Sequence, residues 1–247
     1  MKAEYITHSG DDLLVVNAAR VSFDKISTLD DNGHMKPADI NLINYLARGV
    51  PKTEWLNMMQ SLMNEKSVDR VDEIVTACVN MAQHWAPFAH PHISIRMQAP
   101  TPIRVQCFKH KVGFVESEES RRYISSSPAL YIPEYFAKAP DNKKQGSSGK
   151  HAASEFWVTQ YRQVCGNSID IYERMISAGI APEDARFILP QGVEVNWVWT
   201  GSLAAFARYY NQRSDPHAQR QSQFLAEEVS KIVSPLYPVS WQALTGN

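Results

Sequence analysis

Two stretches of the chain alternate strictly between apolar and polar positions. His92-Ile-Ser-Ile-Arg-Met-Gln98 and Val193-Glu-Val-Asn-Trp-Val-Trp199 each predict a strand with one face on a core and one face wet. The run Leu13-Leu-Val-Val16 follows Asp11 and Asp12, and residues 1–16 are expected to form a short strand. Asn17-Ala-Ala-Arg-Val-Ser-Phe23 is a small-residue segment that permits close backbone approach, and residues 27–37 carry loop chemistry. Helical spacing begins near Asp39, which is placed to cap a helix running to Arg48 with Ile40, Ile43 and Leu46 or Ala47 on one face. Gly49 ends that helix and Pro51 opens another, whose stripe of Leu56, Met59 and Met63 is expected to lie in the core. A third helical pattern covers Val68 to His84.

Further along, Pro100 and Pro102 break the first strand and open a helix to about His110. A long helix is expected from Ala152 to Ala178 with Phe156 and Tyr161 among its packing residues, closed by Gly179. A short helix from Pro182 carries Arg186. Ser202 caps a helix reaching Arg213, and a last helix runs from about His217 to Val233. One domain over 1–247 is expected, with 50–83 a helical insertion and the Gly/Ser-rich stretch 138–152 a flexible loop.

Composition narrows the function. The chain has 247 residues, 44% apolar and 21% charged, the balance of a soluble globular protein. Its formal net charge of −1 supplies no global field for nucleic acid or an anionic membrane, so any basic site is local. Three widely spaced cysteines, Cys78, Cys107 and Cys165, argue against a disulfide framework and suit a reducing compartment. The first residues lack the apolar run of a signal peptide, and no stretch has the roughly 20 apolar residues that span a bilayer. A cytoplasmic location is the expectation.

The densest chemistry runs from Gln106 to Tyr123. His110 sits between Lys109 and Lys111, followed by Glu118, Ser120, Arg121, Arg122 and Tyr123. Such a set needs full pairing if buried. It reads either as a polar surface hairpin or as the wall of a pocket for an anion and a planar polar ring. His84, His90 and His92 lack a Cys or carboxylate at zinc spacing and read better as turn histidines. Cys107 lies near His110 without an orienting Asn or Asp, and reads as a buried structural cysteine. No glycine loop for phosphate is present. Arg186 and Arg213 stand in apolar surroundings, where a guanidinium needs a partner from the protein or a ligand.

These blocks together resemble the flavin-dependent thymidylate synthases, the ThyX family. That family is marked by Arg-His-Arg, seven residues, then Ser-x-Arg-Tyr. Lys109-His110-Lys111 and Ser120-Arg121-Arg122-Tyr123 resemble it with lysines for both arginines, the form expected of a phage-type relative, and with one residue more between. The segments Asn17–Phe23, His84–His90, Ala185–Pro190, Trp199–Leu203 and Arg213–Gln219 resemble further family blocks in the same order. Ala86, Ala89 and Ala204 depart from the family's hydroxyl, glutamate and arginine.

The resemblance implies an α+β fold, a small twisted antiparallel or mixed sheet flanked by long helices. It implies reductive methylation of dUMP at C5, with methylenetetrahydrofolate giving the carbon, reduced FAD the hydride and NADPH re-reducing the flavin. Gln106, Lys109, Glu118, Ser120, Arg121, Arg122 and Arg186 would hold dUMP, and Arg213 would meet the uracil N3–O edge. Ala86, Lys109, His110, Lys111, Glu118, Ser202 and Arg208 match flavin positions, and His84 a position near folate and flavin. Arg213, Ser120 and His84 are the expected catalytic residues, with no metal. Such sites form between subunits of a homotetramer in the family. A relative that transfers hydroxymethyl or acts on dCMP, and a non-catalytic nucleotide-binding paralogue, are the alternatives.

Overall fold

The two alternating stretches are the centre of the sheet. In the computed structural model, which describes residues 1–48, 52–79, 84–140 and 146–246, they become β2 (His92–Pro100) and β6 (Glu194–Ser202). With β1 (Lys2–Ser9) and β3 (Phe114–Glu118) they form a four-stranded sheet in the order β1-β2-β6-β3. Ile93, Ile95, Met97 and Ala99 of β2 and Val195, Trp197 and Trp199 of β6 are buried. The intervening positions bind one another across the strands: Ser94 to Thr200 at 2.8 Å, and the Gln98 amide donating to Glu194 at 2.6 Å. Polar cross-strand pairs on one face and apolar burial on the other fix the register, because a slip of one residue would exchange the faces.

The described residues also form ten α-helices: α1 (Asp12–Arg20), α2 (Pro37–Arg48), α3 (Lys52–Asn64), α4 (Val68–Val79), α5 (Thr101–Cys107), α6 (Ser154–Ser177), α7 (Pro182–Ala185), α8 (Leu203–Arg213), α9 (Arg220–Val233) and α10 (Pro238–Thr245). The α+β expectation therefore holds. A second, two-stranded antiparallel ladder joins β4 (Ala137–Lys138) to β5 (Ser148–Lys150). Both ends of the stretch expected to be a flexible loop are thus paired, while 141–145 lie outside the described residues. α6 stops at Ser177, with Ala178 its cap and the expected Gly179 just beyond, whose φ of +84° is the left-handed conformation glycine adopts without strain.

The chain groups into two compact units, one of Met1–Ile6, Ser94–Thr200 and Tyr209–Ser230, the other of Thr7–Ile93, Gly201–Arg208 and Lys231–Asn247. In the first, Ile103, Cys107, Tyr172, Tyr209, Leu225 and Val229 join the apolar side chains of β2 and β6 in burial. In the second, α1, α2 and α10 pack together, burying Val15, Val16, Ile43, Leu46, Tyr237 and Trp241.

Several local expectations fail for identifiable reasons. Leu13–Val16 are helical, because the Asp11 carboxylate accepts from the Leu14 amide at 3.0 Å and caps α1. Asp39 is not a cap. It is buried inside α2, where it accepts from Arg20 Nε at 3.1 Å and from the Ser27 hydroxyl at 2.7 Å. Tertiary pairing has taken a side chain that local preference would place at a helix start. The Leu56 and Met63 stripe of α3 is exposed, at 54% and 86%, instead of forming core, and Phe156 on α6 is exposed as well. The last long helix begins at Arg220, three residues later than expected, because Asp215 folds back to the His217 amide at 2.7 Å. The short α10 was not expected. Its N-terminus is held by Asp12, which accepts from the amides of Val239 at 2.8 Å and Ser240 at 2.9 Å. The expected helix boundaries at Gly49 and Pro51, and the end of the third pattern at residues 80–83, lie outside the described residues.

Candidate active site

Arg213 closes α8 and is the hub of a network that reaches a hundred residues back in sequence. Its Nε donates to His110 Nε2 at 2.9 Å, one terminal nitrogen to the Gln106 carbonyl at 2.9 Å, and the other to Gln106 Oε1 at 3.4 Å. Accepting at Nε2 leaves the His110 ring proton to the other nitrogen. Gln106 is itself fixed, taking a hydrogen bond from the Ser222 hydroxyl at 2.7 Å and donating to Gln219 at 2.6 Å. The His110 ring meets the buried Tyr209 edge-on, centroids 5.2 Å apart. The helix expected to reach His110 ends at Cys107, so His110 stands beyond it, and what joins it to Gln106 is their common partner Arg213. Gln106 and Arg213 line a cavity of about 730 Å³ together with Asn211, Asp215, His217 and Gln219.

Glu118, Ser120, Arg121 and Arg186 line a second cleft, of about 410 Å³. Its turn is built by Ser120, whose hydroxyl accepts from the Arg122 amide at 3.3 Å and whose carbonyl accepts from the Tyr123 amide at 3.0 Å. Arg121 donates to the Ser126 carbonyl. Glu183 ties two expected nucleotide ligands together: its carboxylate lies 3.5 Å from Arg122, and its carbonyl accepts from Arg186 Nε at 3.1 Å. Burial pushes the Glu118 carboxyl above its ordinary value, against the pull of Arg104, which pairs with it at 3.0 Å. Three buried polar atoms around this cleft, Arg104 Nε, Arg121 Nε and Glu119 Oε1, have no hydrogen-bond partner among the described residues.

His84 and Ala86 line a third cavity, of about 820 Å³, with Ala18, Arg20, Phe23, Tyr45 and Trp85. The His84 ring stacks on Tyr45, 5.6 Å between centroids and 24° between planes. The Asn17–Phe23 segment reaches this cavity because Arg20 is anchored by Asp39 and Asn17 exchanges two hydrogen bonds with Ser27. His92 Nδ1 lies 2.9 Å from the His90 carbonyl, the backbone contact of a turn histidine.

The remaining expected residues lie outside these linings. Lys109 and Arg208 are exposed. Lys111 is exposed and pairs with Glu116 at 2.6 Å. Ser202 is buried, its hydroxyl accepting from the Ala205 amide at 3.2 Å as the cap expected of it. Cys107 is buried beside the Tyr209 hydroxyl, and burial pushes its thiol up to about 12, a poor nucleophile at neutral pH. Sequence reasoning missed Arg104, Glu119 and Asn196, whose amide donates to Glu119 at 2.9 Å. Their spacing along the chain carried no motif. Gln219 stood in a quoted block, but nothing in the sequence joined it to Gln106.

The fold is α+β, with Arg213 beside one polar cavity and Arg104, Arg121 and Arg186 beside another. The chain belongs to the family described as Thymidylate synthase complementing protein, whose sequence profile matches residues 4–239. It is similar to the flavin-dependent thymidylate synthase of Thermosipho melanesiensis, 26% identical over 237 residues that cover 95% of this chain and 86% of the relative. An enzyme of the same description from Thermus thermophilus is 26% identical over 238 residues, 96% of this chain and 73% of the relative. Among solved structures, a UMP/dUMP methylase PolB from Streptomyces cacaoi bound with 5-Br dUMP superposes with a TM-score of 0.73 at 23% identity, covering 99% of this chain and 94% of that one. That likeness establishes the shared fold.

Proposed function

We propose that the protein is a flavin-dependent thymidylate synthase that methylates dUMP at C5, a divergent member with phage-type lysines at 109 and 111. The observation that carries the reading is the Arg213 network. A guanidinium has N–H donors beyond those spent on His110 and Gln106. The spare donors suit the N3–O edge of a uracil, and a fixed cation there favours the ring anion that makes C5 nucleophilic.

The phosphate suits the Ser120 turn, with Arg121, Arg122 and Arg186 as charged donors. Gln106 orients Arg213, Glu118 accepts from the nucleotide, and Lys109 adds charge. No residue lines more than one of the three cavities. Assembly of a homotetramer, in which one copy's Arg213 group faces another's Ser120 turn, is therefore part of the proposal. Exposed Val21, Phe23, Ile26, Trp85, Phe156, Trp157 and Phe187 provide apolar surface for such contacts.

The residues fit FAD in part. In one unit, stacked Tyr45 and His84, with Trp85, offer flat apolar surface beside Ala86; in the other, Lys109, Lys111 and His110 offer donors suited to a diphosphate and ring edge. Ser202, one of whose acceptor lone pairs caps α8, keeps its hydroxyl proton to donate. When bound, the flavin supplies the hydride, renewed from NADPH, and methylenetetrahydrofolate the carbon. The protein's residues bind, orient and polarise. Cys107 takes no part. Among the described residues no helix is long and apolar enough to cross a membrane, in keeping with a proposed cytoplasmic site of action.

The test is dUMP turnover by the purified protein with FAD, NADPH and methylenetetrahydrofolate, read by product mass. Appearance of dTMP is expected. A product one oxygen heavier, or one formed only from dCMP, would support the second reading, which the missing hydroxyl at Ala86 beside the His84 cavity favours. A protein that binds no flavin and leaves dUMP unchanged would refute both.

A further inference from the structure

Among the expected substrate contacts Glu118 is the acidic one, and its carboxylate has a partner outside every motif. Arg104 projects from α5, with a terminal nitrogen 3.0 Å from Glu118 Oε1 and both side chains about a quarter exposed, 24% and 25%. The guanidinium also lies over the Phe108 ring, 5.0 Å from its centroid. Phe108 in turn meets the buried Trp197 edge-on at 5.7 Å. Arg104 is therefore braced by an aromatic pair that rests on the core, and it lines the same cleft as Glu118, Ser120, Arg121 and Arg186. An arginine held in one place fixes a carboxylate in direction as well as charge.

The surroundings show why this matters. Burial disfavours the Glu118 anion, and its neighbours Glu116 and Glu119 push the same way, with Arg104 opposing all three. Arg121 and Arg186 face the cleft from the following turn and from the segment after α7. On β6, Asn196 is neutral and is spent on Glu119.

We propose that Arg104 is a positioning residue, whose guanidinium holds the Glu118 carboxylate ionised and pointed along the cleft as a fixed acceptor for the nucleotide. Only the identity of that ligand rests on the functional reading above; the hold on Glu118 stands on the geometry.

The test uses full-length protein with ¹³C-labelled glutamate side chains, the Glu118 signal being assigned by its loss in Glu118→Gln. In Arg104→Ala the Glu118 titration midpoint should rise by about one pH unit, as expected for losing an adjacent opposite charge, and Arg104→Lys should restore most of the shift. dUMP affinity, measured by calorimetry, should fall about tenfold in Arg104→Ala near that midpoint and less at pH 8. Should Arg104→Ala lose the native circular dichroism spectrum, Arg104→Gln, which keeps a stem over Phe108, carries the same titration. An unmoved midpoint in the folded variant overturns the proposal. A raised midpoint in a protein whose wild type binds no dUMP supports the hold on Glu118 and counts against the functional reading.

Discussion

The Arg213 network and the Ser120 cleft belong to the same compact unit and hold similar side chains, yet they are finished to different degrees. Around Arg213 every nitrogen of the guanidinium has an acceptor, and both ends of the Gln106 amide are paired. Around Ser120, one nitrogen each of Arg104 and Arg121 and one oxygen of Glu119 are buried without partners among the described residues, each at a cost of about 1–3 kcal/mol. The first region is preorganised: three hydrogen bonds hold its cation, so little ordering would remain for the docking of the proposed uracil ring. The second carries unmet polar demand, which suits a surface completed by a charged ligand or a second copy of the chain.

Breaking the preorganised side should have the largest effect. Arg213→Ala is expected to lower turnover of dUMP by about 10²- to 10³-fold, the scale of losing a donor aimed at developing charge, measured as dUMP-dependent flavin reoxidation. On the other side, Arg186→Ala should weaken dUMP binding roughly tenfold, the loss of one charge-assisted contact. It should act mainly on KM and grow milder at high salt. Stability sharpens the same contrast. Gln106→Ala leaves Ser222 and Arg213 short of an acceptor and should destabilise by about 1–2 kcal/mol in urea unfolding. Glu119→Gln keeps an oxygen for Asn196, removes a charge adjacent to Glu118, and should lie within about 0.5 kcal/mol of wild type. Smallest of all is Cys107→Ala, expected to change turnover less than about twofold. With its thiol pushed up to about 12 by burial, native Cys107 should resist iodoacetamide at pH 8 and react only in denaturant.

Glu118 adds a pH signature. Its folded-state value is raised, chiefly by burial, so the native state holds a proton that the unfolded chain releases at lower pH. The contribution of this group to stability is accordingly most favourable at acid pH and declines as pH rises through the raised value. Activity runs the opposite way if the anion is the working form. The acid limb of kcat/KM should then lie above the ordinary glutamate range and vanish in Glu118→Gln.

The two alternating strands and the Ser202 cap were legible because each depends on neighbours in sequence. Alternation at β2 and β6 needs only period-two patterning, and Ser202 acts on an amide three residues away. What failed had distant partners. Asp39 looked like a cap until Arg20 and Ser27 took its oxygens. Asp12 looked like a strand flank until the amides of Val239 and Ser240 met it across the chain. The apolar stripe on α3 promised burial that the described residues do not provide.

The order of motifs along the chain settled which family this is, and the local periodicities settled most of its elements, since both reside in short-range chemistry. Which cation meets which acceptor was decided by folding alone. The pairs Arg213–His110 and Arg104–Glu118 join residues on different elements, and no spacing encodes such a meeting. Hydrogen bonding is directional and short-ranged, so only the packed backbone determines whether two polar atoms lie within about 3 Å or face apart.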